Sequence, residues 1–344
     1  MPLSSAEHQT RRFVACPLAL AAVLGLASCA TETGSMQRPA PAIPLGMGGA
    51  SQVRPDPLAR AEMLRRQGFT DQALSEFERA IAINPRLTVA YMGAGDIYRE
   101  RGDYTPAEQR YSKAADLEPG NFAAQYLHGL TLQLLDRVSD SVRAYLRALS
   151  IRPEDFNANL NVATAYLQLN EPSQGAPYAE KAVHIDTNSA PARVNLGAIY
   201  SAMGRFEEAV VEYQQAAELM ELSSPLLLNL AEAYGKSGRY EEMMTTLERV
   251  VQTEPTAVAY ERLGSALFRL RKYPESLGAY RKAVEIDPNY FPALNGIAVN
   301  QLNTWIFSKQ TDDTAHREAV SALKRSLQIE RNQPRVVELL STYQ

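Results

Sequence analysis

Cysteine is nearly missing from this chain: 344 residues hold two, Cys16 and Cys29. A disulfide-stapled fold and a cysteine-built zinc site are therefore excluded. Histidine is almost as scarce. His8, His128, His184 and His316 lie far apart in sequence, and no HExxH, glycine-rich phosphate loop or GxSxG run accompanies them. No catalytic set, no metal-ligand set and no cofactor is expected, and the chain does not read as an enzyme. Charge of one sign is lacking too. Lys and Arg number 35 against 39 Asp and Glu, a net charge of −4, so the basic stripe that nucleic acid requires is absent. Beyond residue 27 no apolar run is long enough to cross a bilayer.

What the chain does have is a period. Pro85, Pro119 and Pro153 are spaced by 34; Thr187 and Glu221 fill the next two slots, Pro255 returns to the grid and Pro288 comes one residue early. Ala80, Ala114, Ala148, Ala182 and Ala216 keep the same step, as do Tyr166, Tyr200 and Tyr234, and Gly95, Gly129 and Gly197 share a further column. A fixed period of this length marks stacked supersecondary units, each unable to bury its apolar face alone.

One unit shows what is repeated. From Thr88 to Arg101, Tyr91, Ala94, Ile97 and Tyr98 fall at helical spacing. Gly102 follows, suited to the left-handed position just past a helix. A second run, Pro106 to Leu117, places Ala107, Tyr111, Ala114 and Ala115 on one face. Pro106 fits near a helix start, where a missing N–H costs nothing, and Pro119 disfavours helix in Glu118. Gly95 and Ala107 let the two helices approach, with Tyr98 and Tyr111 filling the space beside them.

These columns resemble the tetratricopeptide repeat. Its pattern asks for Gly or Ala at the eighth place, an aromatic or Leu at the eleventh, Ala at the twentieth, an aromatic at the twenty-fourth, Ala at the twenty-seventh and Pro at the thirty-second. Gly95, Tyr98, Ala107, Tyr111, Ala114 and Pro119 match throughout. Gly197, Tyr200, Ala209, Tyr213 and Ala216 match until Glu221 replaces Pro, and Gly264, Leu267, Ser276, Tyr280, Ala283 and Pro288 match with Ser at the twentieth place. The resemblance implies an all-α fold, a right-handed superhelix of helix-turn-helix repeats, with seven repeats over 55–288 and an irregular eighth repeat plus capping helix over 289–344. Departures predict local weakness. Gly175 and Asn170-Glu171-Pro172 should weaken the second helix of the fourth repeat, and Met243 and Val250 should make the sixth looser or bulkier.

The amino-terminal end reads differently. Arg11-Arg12 precede an apolar run from Phe13 to Ala27, and Leu26-Ala27-Ser28-Cys29 follows. This resembles a bacterial lipoprotein signal peptide, 1–28, whose lipobox presents Cys29 for acylation. By the same resemblance Ala30 is compatible with transfer to the outer membrane, periplasmic face. Removing 1–28 leaves 33 basic against 38 acidic residues, a net charge of −5, and no cysteine besides Cys29. Residues 29–54, with Pro39, Pro41, Pro44, Gly46, Gly48 and Gly49, read as a linker spanning roughly 25–30 Å as a coil.

The resemblance also implies where partners bind. First helices of the family line a concave face, their fifth, sixth and ninth places pointing inward. Asn161, Asn195 and Asn229 occupy the sixth place at steps of 34; Met92, Tyr126, Leu160, Val194 and Leu228 occupy the fifth. An amide offers donor and acceptor together and so suits an extended backbone; the apolar row beside it suits that segment's side chains. The competing reading makes the asparagines inter-repeat ties and the row a core edge. His128 reads as a structural histidine, and Glu207-Glu208 and Glu241-Glu242 as carboxylates favouring helix starts. Trp305-Ile306-Phe307 reads as a cluster buried under the terminal helix in preference to an exposed docking patch. The functional expectation is a lipid-anchored scaffold that binds protein segments and assembles an envelope complex. Pilus or secretion machinery, as in tight-adherence pilus lipoproteins of the TadD type and the pilotins, is preferred to a periplasmic protease or peptidoglycan-hydrolase adaptor or an outer-membrane protein assembly factor. Nucleic acid and small-molecule substrates are not expected.

Overall fold

The computed structural model describes residues 56–344; the expected signal segment, Cys29, the whole of the linker and Pro55 lie outside the described residues. Among these, all regular elements are α-helices: α1 Pro57–Arg66, α2 Thr70–Ile83, α3 Thr88–Glu100, α4 Tyr104–Leu117, α5 Phe122–Leu134, α6 Val138–Ile151, α7 Phe156–Gln168, α8 Pro172–Ile185, α9 Ala190–Ala202, α10 Phe206–Leu219, α11 Ser224–Lys236, α12 Tyr240–Thr253, α13 Ala257–Arg269, α14 Tyr273–Ile286, α15 Phe291–Phe307, α16 Asp313–Ile329 and α17 Pro334–Tyr343. The chain divides into two compact units, one ending at Ile185 and one beginning at Asp186. The first holds α1–α8 and the second α9–α17. No described helix is long and apolar enough to cross a membrane.

Local chemistry sets the helix ends. Asn121, Asp155, Ser189 and Thr256 precede first helices and accept from the backbone N–H three residues on, at 3.2, 2.9, 3.3 and 3.2 Å. Each satisfies an N–H that the helix leaves open. The turn between the helices of a pair needs a left-handed residue. Gly68, Gly102, Gly204 and Gly238 supply it, and Asp136, Asn170 and Arg271 adopt the same positive φ in the other pairs. Asp and Asn tolerate that region through local hydrogen bonding; arginine carries the full side-chain penalty.

Packing within a pair depends on a glycine facing a tyrosine. A Cβ on Gly95 would lie 2.8 Å from the Tyr111 ring, and one on Gly129 2.7 Å from Tyr145; in the second unit the pairs are Gly197 with Tyr213 at 2.8 Å and Gly264 with Tyr280 at 2.9 Å. These rings are buried, so each hydrogen-only position is the socket for a ring from the second helix. The sixth pair makes the same fit with other residues: the bulk of Met243 is received by Gly235, whose Cβ would meet the sulfur at 2.7 Å. Its packing is bulkier, and Leu247 and Val250 remain fully enclosed. The weakness expected in α8 is not seen as a break, since the helix runs unbroken through Gly175 and Pro177.

The last pair is longer than the others. α15 and α16 each have 17 residues, where the preceding first and second helices have 13 and 14. α17 packs on this pair through Val336, Leu339 and Leu340. The Trp305-Ile306-Phe307 run splits. Trp305 is half-buried, 4.5 Å from the His316 ring and 6.1 Å from Tyr343. Ile306 and Phe307 are 46 % and 69 % exposed.

Candidate functional site

In the first unit the first-helix face is built by α3, α5 and α7. Met92 is half-buried and lines a cavity of about 510 Å³ with Glu62, Arg65, Phe77, Gly93 and Asp96. Asp96 is held on both oxygens: Oδ1 accepts from the Tyr111 hydroxyl at 2.7 Å and Oδ2 from Arg65 at 2.9 Å, while Arg65 also reaches Glu100 at 2.9 Å. Burial, reinforced by Asp96, pushes the Tyr111 phenol far above its ordinary range. On α5, half-buried Tyr126 stacks on Phe122 at 5.8 Å, and its hydroxyl accepts from Asn161 Nδ2 at 3.1 Å. Burial raises Tyr126 as well, with the Asn161 bond opposing. Leu160 is 7 % exposed and belongs to the core edge. Next to these, Gln133 donates to Gln168 at 2.9 Å and accepts from the Tyr145 hydroxyl at 3.0 Å.

In the second unit α9, α11, α13 and α15 build the corresponding face. Val194 and Leu228 are half-buried against one core cluster. Asn229 is half-buried, whereas Asn195 is 2 % exposed and has almost no surface to offer. The apolar-amide pattern then changes. The fifth and sixth places of α13 are Glu261 and Arg262. Arg262 donates to the Leu228 carbonyl at 3.1 Å and pairs with Glu232 at 3.1 Å. Glu261 is half-buried and forms no ion pair or hydrogen bond with a described residue; burial raises its carboxyl above the ordinary range, with Arg262 opposing. On α15, Asn295 donates to Gln333 at 2.7 Å, and its Oδ1 is buried without a partner.

A neighbouring column escaped the sequence reading. Gln125 and Asn159, one place before the apolar row, are buried, and Arg193 stands at the next step. Asn159 donates to the carbonyls of Pro153 and Asp155 at 3.0 and 2.8 Å, and Arg193 donates to Thr187 O at 3.0 and 2.8 Å. Gln125 does the same to Ala115 and Pro119 at 3.3 and 3.4 Å. This column ties α5, α7 and α9 to the segment before each. Its signal was the same step of 34. Of the residues singled out for binding, the structure joins Tyr126 and Asn161 by a direct bond. Among the described residues no group of three His, Cys, Asp or Glu is placed to hold a metal ion.

Sequence profiles of the tetratricopeptide repeat match residues 58–124, 92–156, 126–191, 202–267 and 257–290, together about two thirds of the chain. The chain is similar to a probable UDP-N-acetylglucosamine–peptide N-acetylglucosaminyltransferase SPINDLY of Hordeum vulgare, 28 % identical over 31 % of this chain and 12 % of that protein. It is also similar to the small glutamine-rich tetratricopeptide repeat-containing protein 2 of Mycosarcoma maydis, 42 % identical over 19 % of each. The matches thus span less than a fifth of these relatives' lengths. Among solved structures, pilF of Pseudomonas aeruginosa aligns with a TM-score of 0.49 at 17 % identity, over 61 % of this chain and 95 % of that one.

Proposed function

The chain belongs to the tetratricopeptide-repeat family, and from that premise we propose that it is a lipid-anchored scaffold whose first-helix faces grip extended protein segments to assemble an envelope complex, pilus or secretion machinery in the first instance. The observation that carries the binding reading is a partly exposed row on consecutive first helices. Met92, Tyr126 and Asn161 form it in the first unit, and Val194, Leu228 and Asn229 in the second. Apolar surface and amides recur there at one step per repeat, which suits an extended segment offering both side chains and peptide groups. Asn195, Leu160 and the buried fourth-place amides support the row from beneath. The anchoring reading is supported by the basic start, apolar run and small residues before Cys29.

A photoreactive amino acid at Met92 or Leu228, compared with one at exposed Val211 on second helix α10, tests the face in cells. Crosslinks to a discrete partner from the first two sites and none from Val211, lost when Asn161 and Asn229 are both changed to Ala, are expected. Equal crosslinking from all three would refute the face. Mass spectrometry of the mature amino terminus tests the anchor separately; an unacylated Cys29 would remove it.

A further inference from the structure

We propose that the corner of the second unit formed by the end of α15 and the α13–α14 turn is a second membrane contact, docking on a bilayer that carries anionic phospholipids. Phe268, Tyr273 and Phe307 form a chain of rings, with centroids 5.3 and then 6.1 Å apart. The outermost ring and the adjacent Ile306 project into solvent. They do so because α15 runs past the length of the earlier first helices before turning. Four cations flank these rings in the chain. Arg269, Arg271, Lys272 and Lys309 are all exposed and none is in an ion pair with a described residue. Elsewhere in the unit Arg262, Arg281 and Lys282 each have a carboxylate within 3.1 Å. The acids at this corner are Glu275 and Asp313, opening α14 and α16, and Asp312, which caps α16 through Thr314 and Ala315 N–H.

Two of these cations occupy strained backbone. Arg271 has φ 62° in the turn position that four other pairs give to glycine, and Lys309 has φ 55°. A cation held at a turn tip against its conformational preference is a departure that local stability does not explain. Projecting rings with exposed basic side chains beside them, Arg269 lying 5.9 Å from the Tyr240 ring and Lys272 contacting Met244 Sδ at 3.6 Å, match what a lipid interface accepts: apolar tips enter the headgroup boundary and cations meet anionic headgroups. This inference rests on the lipid-anchor reading: acyl chains on Cys29 would hold the protein on a bilayer without fixing its orientation, and a second contact of this kind would orient the tethered scaffold.

Trp305, the sole tryptophan, stands one to two residues from the projecting pair and reports on this corner alone. The full chain is mixed with vesicles of phosphatidylcholine, with or without phosphatidylglycerol, whose acyl chains are brominated. Strong quenching is expected with phosphatidylglycerol, several-fold weaker quenching without it, and reversal by high salt. I306S/F307S and R271G/K272S/K309S should each lose the quenching, while Cys29→Ser keeps it. Circular dichroism and melting confirm the fold, and R271G should melt no lower than the parent. If one set fails to fold, the other decides. The proposal is overturned if the parent is not quenched, if quenching survives both sets, if Cys29→Ser abolishes it, or if a polyglutamate peptide shifts Trp305 emission and vesicles do not.

Discussion

Gly95→Ala should destabilise the first unit although alanine is the better helix former. The added Cβ would stand 2.8 Å from Tyr111 Cε1, 3.0 Å from Cδ1 and 3.1 Å from Cζ. The ring cannot retreat freely. It is fully buried, and its hydroxyl donates to Asp96 at 2.7 Å and accepts from Arg99 at 3.3 Å. Helix propensity favours alanine by about 1 kcal/mol, while overpacking a filled site costs about 1–3 kcal/mol, and shifting a hydroxyl bonded to a carboxylate adds to that. The balance is a loss of about 1–2 kcal/mol. Gly278 on α14 is the control: it is exposed, and a Cβ there meets nothing within 4 Å. Gly278→Ala should therefore gain about 1 kcal/mol. Tyr111→Leu removes the ring, and in that background Gly95→Ala should change sign and stabilise. The coupling would then be about 2–3 kcal/mol, in the usual range for residues in contact. Urea unfolding followed by circular dichroism gives the midpoint and slope for all four members of the cycle. Equal stabilisation by Gly95→Ala and Gly278→Ala, or an effect of Gly95→Ala indifferent to Tyr111, would refute the socket.

His128 contacts Glu108 through Nε2 at 3.2 Å, its Nδ1 is buried without a partner, and burial lowers its pKa. The unfolded state therefore binds the proton more readily, so stability is complete above the ordinary histidine value of about 6.5 and falls as pH drops below it towards the lowered folded value; the melting-temperature difference between parent and His128→Gln should be constant above about pH 7 and shift against the parent below about pH 6.5, and curves parallel throughout would refute this. Glu261 has the opposite sign: its raised carboxyl binds the proton more readily when folded, so stability is complete at acid pH and lost as pH rises through the folded value. Glu261→Gln should raise the melting temperature at pH 7 and not at about pH 4, and equal effects at both would show that charge is not the cause.

Most of the fold was legible because its determinants are local. The columns of Ala80 and Ala114, the turn glycine Gly102 and the helix-bounding Pro106 and Pro119 each act within a few residues, and the 34-residue step repeats the pattern. The terminal helix could be placed from Pro334 and the apolar residues after it. Less of the candidate face was legible. Asn195 and Asn229 are equivalent in sequence, yet one is 2 % exposed and the other half-buried, because exposure depends on what packs over each turn. The fourth-place column was missed because Gln125, Asn159 and Arg193 differ in type while sharing one task, a donor to the preceding loop. The aromatic corner was only half visible: Phe268, Tyr273 and Phe307 come from three helices, and nothing in the Trp305-Ile306-Phe307 run alone says which of its members turns inward.

Departures from the repeat gather between residues 261 and 310. Glu261 stands where earlier repeats have an apolar residue, Arg271 where four have glycine, Lys309 and Gln310 both take positive φ, and α15 outgrows its predecessors. A stacked array confines such changes, since each pair touches only its neighbours and the cost stays local. A half-buried carboxylate whose charge is opposed by burial and only partly eased by Arg262, and an arginine in a left-handed turn, each lower stability, and among the described residues neither forms an ion pair or hydrogen bond that offsets this. Where local rules fail together without internal compensation, the compensation is sought outside the molecule. The two kinds of departure also differ in what would satisfy them. Glu261 calls for a basic or protonated group on a partner lying along the first helices, whereas the Arg271–Lys309 corner calls for an anionic surface at the helix ends. A single partner that silenced both would have to reach around the pair, so independent loss of one function in Glu261→Gln and of the other in R271G/K272S/K309S is the outcome that separates them.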